Sequence, residues 1–329
     1  LVGESRAGLP FDGELALGQC TRISTGAHMP DGAESVLIQE NADVSGAQVT
    51  ATEVPSAGKH VRRRGFDFTD GDCVLHAGTP IGPAQIALAI SAGHGSLNVR
   101  KAPRIAVLDS GDELARDPAR CGPHQIPASN GAMIAAMLAP LGCVVDRVGP
   151  APDDHGALAA ALAKAESADI LITSGGASVG DHDLVQQALK DWGANIAFWK
   201  VAIKPGKPLM VATRGKQVVL GLPGNPVSSY VTCCLFALPL VRAAMGAREA
   251  LPQAFEMTLG EDLPSTGDRR EFLRGVHDGK TVRRSDNQDS SALAALAASN
   301  CLIVRYEGSD AAPAGSRIPI LTLENGGIA

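Results

Sequence analysis

The chain has 329 residues, of which 45% are hydrophobic, 19% charged and only 3% aromatic; this is an ordinary globular composition, too long for one core. Its formal net charge of −6 excludes general nucleic-acid binding, which depends on a basic surface neutralising phosphates. Seven scattered cysteines (Cys20, Cys73, Cys121, Cys143, Cys233, Cys234, Cys301) contain no C-x-x-C pair, so neither a zinc site nor a disulfide framework is indicated and a cytoplasmic location is expected.

No run of 18 apolar residues and no charged-then-apolar leader is present, so no membrane partner is expected. Leu1 stands in a loop-like stretch and reads as the start of a remainder of a longer protein. Residues 1–100 are rich in Gly, Thr and Val. Segments 33–39 and 47–51 read as strands between Gly or Pro turns, and 83–92 reads as a short Ala-rich helix.

From Pro103 the pattern changes to alternating strand and helix. Residues 104–108 form an apolar strand that runs into the acidic turn Asp109-Ser110-Gly111-Asp112-Glu113. Ser129-Asn130 is placed to cap a helix carrying Met133, Ile134, Met137, Leu138 and Leu141 on one face. Segment 143–148 is the next strand. Asp154 can cap a helix in which Leu158 and Leu162 recur at four-residue spacing. Strands 170–172 and 218–220 follow, each ending in a Gly-containing turn. An apolar helix then runs to about residue 245, with Pro239 predicted to kink or shorten it. This alternation predicts a parallel sheet with helices on both faces and its ligand beyond the carboxyl ends of the strands. After residue 250, segments 255–259, 272–276 and 317–323 read as strands of a small C-terminal β-domain. The expected divisions are 1–58 (β-rich), 59–100 (linker and helix), 101–248 (α/β) and 249–329 (C-terminal β).

Four turns carry the chemistry. Ser174, Gly175, Gly176, Ser178 and Gly180, ending at Asp181 and Asp183, combine backbone freedom, hydroxyl donors and carboxylates. That mixture suits a phosphate beside a divalent cation, and a ligand-free strand-to-helix turn would have the same signature. Lys204-Pro205-Gly206-Lys207-Pro208 holds two ammonium groups in a rigid loop suited to an oxyanion; the same residues also suit a merely solvated turn. Leu222-Pro223-Gly224-Asn225-Pro226-Val227-Ser228 reads as a helix start, with Asn225 as N-cap and Pro226 in the first turn, where an anion could dock. Asp112 and Glu113, with Asp183, offer oxygen ligands for Mg²⁺, although acidic turns are more often simply exposed. Arg62-Arg63-Arg64 is a basic cluster open to a phosphate or to solvent. No P-loop, G-x-G-x-x-G or G-x-S-x-G motif is present, which argues against common ATPases, dehydrogenases and serine hydrolases.

These motifs, together with 22–27, 61–65, 110–114 and 269–274, resemble in order and spacing the molybdopterin molybdenumtransferases of the MoeA and gephyrin E-domain type. The resemblance covers nearly the whole chain. It implies a central MogA/MoaB-like parallel α/β domain between a β-rich N-terminal region and a small C-terminal β-domain. It further implies insertion of molybdate into adenylylated molybdopterin with Mg²⁺-dependent release of AMP. Asp112 and Asp183 match the nucleotide and metal end; Lys204, Lys207, Pro208, Arg269 and Ser290 match positions associated with molybdate. The family is dimeric, and Thr25 matches a position facing the partner subunit's site. A molybdopterin adenylyltransferase is a further partner to expect.

Three positions depart from the family pattern. Its Asp-Gly-Tyr-Ala segment would lie upstream of Leu1. Phe66 stands where a carboxylate usually follows the arginine cluster, and Ala128 stands in place of another. Two other readings stand beside the enzyme: a scaffold homologue that has lost turnover, motivated by those substitutions, and a molybdopterin adenylyltransferase, which the β-rich flanks argue against.

Overall fold

A computed structural model of the chain describes residues 1–176 and 184–323. It has two compact units, Leu1–Val74 and Leu75–Ala329. In the first unit, β1 (Gly3–Ser5) pairs in parallel with β2 (Thr21–Ile23), and β3 (Ala42–Ser45) forms a hairpin with β4 (Gln48–Ala51). The expected strand over 33–39 is absent. Single contacts there (Val36 N–H to Lys59 carbonyl, Gly58 N–H to Glu34 carbonyl) hold a loop, which a 3₁₀ turn over Gln39–Asn41 closes.

The second unit opens with α1 (Pro83–Ser91), where Pro83 occupies a first-turn position that needs no amide hydrogen. Next come β5 (Arg104–Asp109), β6 (Leu114–Ala115), β7 (Ile126–Pro127), α2 (Asn130–Leu138), β8 (Val144–Arg147), α3 (His155–Lys164), β9 (Ile170–Ser174) and α4 (Leu184–Asp191). β10 (Asn195–Lys200), β11 (Ile203–Lys204), β12 (Pro208–Arg214) and β13 (Gln217–Leu222) follow. The helical run that comes after them is α5 (Pro226–Thr232), a π-turn over Cys233–Ala237, and α6 (Leu238–Ala244). β14 (Phe255–Leu259), β15 (Arg270–His277), β16 (Thr281–Arg284), α7 (Leu293–Ala297), β17 (Cys301–Arg305) and β18 (Arg317–Thr322) complete the unit.

The central sheet has the order β10-β12-β13-β9-β5-β8. Strands β8, β5, β9 and β13 are parallel, as expected, but β12 runs antiparallel to β13 and β10 antiparallel to β12. The sheet is therefore mixed, with an antiparallel edge. Alternate residues feed two cores, as period-2 geometry requires. Leu108, Leu171 and Val219 meet Leu158 and Leu162 of α3 and Leu189 of α4. On the other face, Ile105, Val107, Ile172 and Leu222 meet Ile134 and Leu138 of α2 and Val241 of α6. Asp154 caps α3 as expected, accepting the Ala157 N–H at 2.9 Å.

In the second sheet β17 pairs with both β18 and β15, which closes β15-β16-β14-β18-β17 into a small barrel, and β11 adds to β15. The helix from Pro226 to Ala244 joins the two layers. It is long and apolar enough to cross a membrane by length and composition, yet 56% of it is buried inside the fold. Cys233, Ala237 and Val241 pack on the central sheet, while Val227, Tyr230 and Val231 pack on Phe272 and Leu302 of the barrel. It is a core helix. The π-turn precedes Pro239 directly, so the disruption expected of the proline falls at the start of α6.

Candidate functional site

Strand direction decides which turns meet. β9, β13 and β5 end at one rim of the central sheet. β10 also ends there and antiparallel β12 begins there, so 201–207, linking β10 to β12, lies on that same rim. The lysine loop, the 175–176 turn, the 223–225 turn and the acidic turn after β5 thus share an edge.

Two contacts bring the 175–176 and 223–225 turns close. A Cβ added to Gly224 would lie 3.5 Å from Gly175 Cα. Asn130, the first residue of α2, donates its amide to both Ser174 Oγ (2.9 Å) and the Gly224 carbonyl (2.7 Å). Gly175 (φ +95°) and Gly176 (φ +65°) occupy the left-handed region that favours glycine. Ser174 is buried, with its hydroxyl engaged by Asn130 and 3.4 Å from Ser229 Oγ. Gly175 donates its N–H to the Leu222 carbonyl at 3.3 Å. The part of this turn presented to a ligand therefore begins at Gly176. Ser178, Gly180 and Asp183 lie outside the described residues.

The lysine loop bridges the sheets. Ile203 and Lys204 form β11 against Arg270 and Glu271, and Ala202 accepts the Arg270 N–H at 2.9 Å. That ladder sets Arg269 beside the start of the loop. Lys204 and Lys207 are exposed and Pro208 is half-buried. Lys204 Nζ lies 2.9 Å from Glu271 Oε1. A Cβ on Gly206 (φ +104°) would come within 2.5 Å of Thr232 Cγ2, so glycine is required where the loop rests on α5. The Lys204–Pro205 peptide bond is cis.

Asn225 is the residue before α5 and Pro226 opens it, but the Asn225 side chain makes no cap bond. Its amide is instead donated to Ser290 Oγ at 2.8 Å, and Val227 N–H is donated to the Ser290 carbonyl at 3.1 Å. Pro223 is buried, Gly224 and Asn225 are exposed, and Ser228 is buried inside the first turn. Ser290 is delivered by a loop organised around Arg274, which is fully buried and was not singled out as a site residue by sequence. Arg274 Nη2 donates to the carbonyls of Asn287 (2.8 Å) and Asp289 (3.0 Å), while Gln288 clasps the Arg274 backbone.

Asp112 and Glu113 are exposed after β5. Asp112 Oδ1 accepts the Asp153 N–H at 2.9 Å. Burial, then the neighbouring charges of Asp112 and Glu113, raise the pKa of Asp153 from its ordinary carboxylate value. Among the described residues no three His, Cys, Asp or Glu side chains come together as a metal cage. Mg²⁺ takes one or two carboxylates and completes its shell from water and substrate. The Asp112–Glu113 turn fits that mode rather than an all-protein site.

Asp109 was not picked out by sequence beyond its place in the acidic turn. It is buried, and desolvation raises its pKa, opposed by the charge of Arg147 and the Gly131 N–H. In the 1–74 unit, Thr25 sits in an exposed turn after β2, and Arg62, Arg63, Arg64 and Phe66 are exposed.

Three family models match in chain order: the MoeA N-terminal region (domain I and II) over residues 2–93, the probable molybdopterin binding domain over 106–243, and the MoeA C-terminal region (domain IV) over 256–323. These define a MoeA-type protein. The molybdopterin molybdenumtransferase of Haemophilus influenzae is 33% identical over 97% of this chain and 81% of its own length, and that of a Nostoc species is 34% identical over 98% and 76%. Two crystal structures of the molybdopterin biosynthesis MoeA protein from Pyrococcus horikoshii superpose with TM-scores of 0.76 and 0.81, at 26% and 24% identity, over 98% of this chain. The chain belongs to the molybdopterin molybdenumtransferase family.

Proposed function

We propose that this chain is a transferase that inserts molybdenum from molybdate into the dithiolene of adenylylated molybdopterin, with release of AMP, as the last assembly step of the molybdenum cofactor. The observation that carries the reading is the common rim: a cationic loop and a glycine turn, fit respectively for an oxyanion and a phosphate, end on one sheet edge.

In this reading Lys204, Lys207 and Arg269 hold molybdate as point charges and Ser290 adds a hydroxyl. Gly175 and Gly176 let the pyrophosphate approach the main chain, with Ser178 and Gly180 continuing that cradle. Gly224, Asn225 and Pro226 border it. Asp112, Glu113 and Asp183 would hold Mg²⁺, which would supply charge neutralisation at the phosphoanhydride. No covalent nucleophile is assigned, because placing an oxyanion beside a dithiolene is electrostatic positioning.

We further take 1–58, 59–100, 101–248 and 249–329 as working domains. The protein works as a cytoplasmic homodimer in which Thr25 faces the partner subunit's site, and it receives substrate from a molybdopterin adenylyltransferase. The test is AMP release from adenylylated molybdopterin with molybdate and Mg²⁺, with and without chelator. Absence of release while calorimetry still finds nucleotide binding rejects catalysis. Failure of calorimetry to find any pterin–nucleotide binding would favour the second reading, a scaffold homologue that has lost turnover, which the Phe66 and Ala128 positions motivate.

A further inference from the structure

Asp109 ends β5 on the face that carries α2. Its Oδ2 accepts the Gly131 N–H at 3.1 Å, in the first turn of that helix. A Cβ at position 131 would fall within the Asp109 carboxylate, so this aspartate and this glycine fit only as a pair. Ser129, where a capping side chain is expected, is exposed and makes no cap bond. A buried carboxylate from the neighbouring strand has replaced the local cap, at a desolvation cost that a serine would avoid. Asp109 Oδ1 has no hydrogen-bond partner among the described residues.

The residue before Gly131 is Asn130, whose amide ties the end of β9 to the 223–225 turn. Those segments flank the proposed nucleotide cradle, and Gly175 and Gly224 lie close enough there that no other side chain separates them. We propose that Asp109 is a positioning residue: by fixing the first turn of α2 it sets, through Asn130, the gap between the 175–176 and 223–225 turns and hence the fit of the nucleotide. The inference rests on the reading of the site given above. Among the described residues the lysine loop makes no hydrogen bond to Asn130 or Asp109 and contacts α5 and β15 instead, so the oxyanion end is outside this device.

The experiment uses the full chain with Asp109→Ala, Asp109→Asn, Asn130→Ala and the double alanine variant. KM for adenylylated molybdopterin, KM for molybdate and thermal midpoint are measured for each. Asp109→Ala is expected to raise KM for the nucleotide on the order of tenfold, the scale of a sub-ångström to ångström misplacement, with KM for molybdate unchanged. Asp109→Asn keeps an acceptor for Gly131 and restores the nucleotide KM. The double variant is no worse than the poorer single one, because both act through one contact chain.

Three results overturn the proposal: a lowered midpoint with unchanged KM, an equal rise in both KM values, or an asparagine variant as impaired as alanine. Should Asp109→Ala not fold, Asn130→Ala decides, and an unchanged nucleotide KM there overturns it. If the wild type releases no AMP, the functional reading fails while the same comparison is made on AMP affinity by calorimetry. A wild type that neither turns over nor binds AMP overturns both.

Discussion

Asn225 and Ser290, 65 residues apart, share a 2.8 Å bond from amide to hydroxyl, and through it the first turn of the long apolar helix is tied to the barrel. The site is consequently built from two sheets at once. The lysine loop repeats the arrangement, since β11 belongs to the barrel sheet while the loop connects strands of the central one.

Ser290→Ala removes the acceptor of that bond at a half-buried position. Stability should fall by about 1 kcal/mol or less, whereas KM for molybdate rises several-fold. Urea unfolding and steady-state AMP release measure the two, and a nucleotide KM that rises in place of the molybdate KM counts against the assignment.

In the proposed site Glu271 would compete with molybdate for Lys204. Their contact is 2.9 Å with the lysine more than half exposed, so the pair contributes at most about 1 kcal/mol. Glu271→Gln is expected to lower KM for molybdate at low ionic strength, with the gain fading as salt screens it. Lys204→Met should raise the same KM. A titration of initial rate against molybdate at two salt concentrations decides.

Much of the central sheet was legible because its strands are buried on both faces and read as short apolar runs: Ile170-Leu171-Ile172 and Val218-Val219-Leu220 were found directly. β12 was not, and β10 was read only as a strand-like run ending at Ile203. β10 is an edge strand whose residues are mostly exposed, and β12 opens with a proline that looked like the end of a loop. Segment 33–39 alternates like a strand but has no partner ladder, so period alone misled. Tertiary contacts also replaced local ones. The Asn225 and Ser129 caps were read from helix chemistry, yet Asn225 turns to Ser290, and the first turn of α2 is held by Asp109. The rim was legible from strand order, whereas the supports beneath it, Arg274 and Asp109, carry no motif of their own.

Arg274→Met should be far more costly than Ser290→Ala. It deprives the carbonyls of Asn287 and Asp289 of their donor, a loss of about 2–4 kcal/mol for a charged buried donor. Urea unfolding checks the stability term. Weakened molybdate binding in the surviving folded fraction checks that the loop carrying Ser290 has loosened.

Asp278 gives the barrel an acid limit. Backbone N–H groups of Thr281 and Lys280 hold its carboxyl down at about 2, from an ordinary value of 3.8. A folded-state value below the unfolded one means that its contribution is present above the ordinary carboxylate range and disappears as pH falls toward 2. The difference in thermal midpoint between wild type and Asp278→Ala should be constant from pH 7 to 5 and close between pH 4 and 2. A gap that persists at pH 2 would contradict this.

Cys301 and Cys233 should resist alkylation in the native state. Both are fully buried; burial pushes the Cys301 thiol to about 12 and raises that of Cys233 as well, so neither presents thiolate at pH 8. Cys121, only partly covered, should react with maleimide within minutes. Peptide mass mapping before and after urea distinguishes them, and native labelling of Cys301 would refute the packing of β17.

One helix face rests on each sheet, and this governs how the gene can be cut. Truncation after Ala244 would leave Val227, Tyr230 and Val231 exposed to water, and the excised barrel would lose the apolar lid over Phe272 and Leu302. Neither half is a portable module: the two must be translated together and melt together.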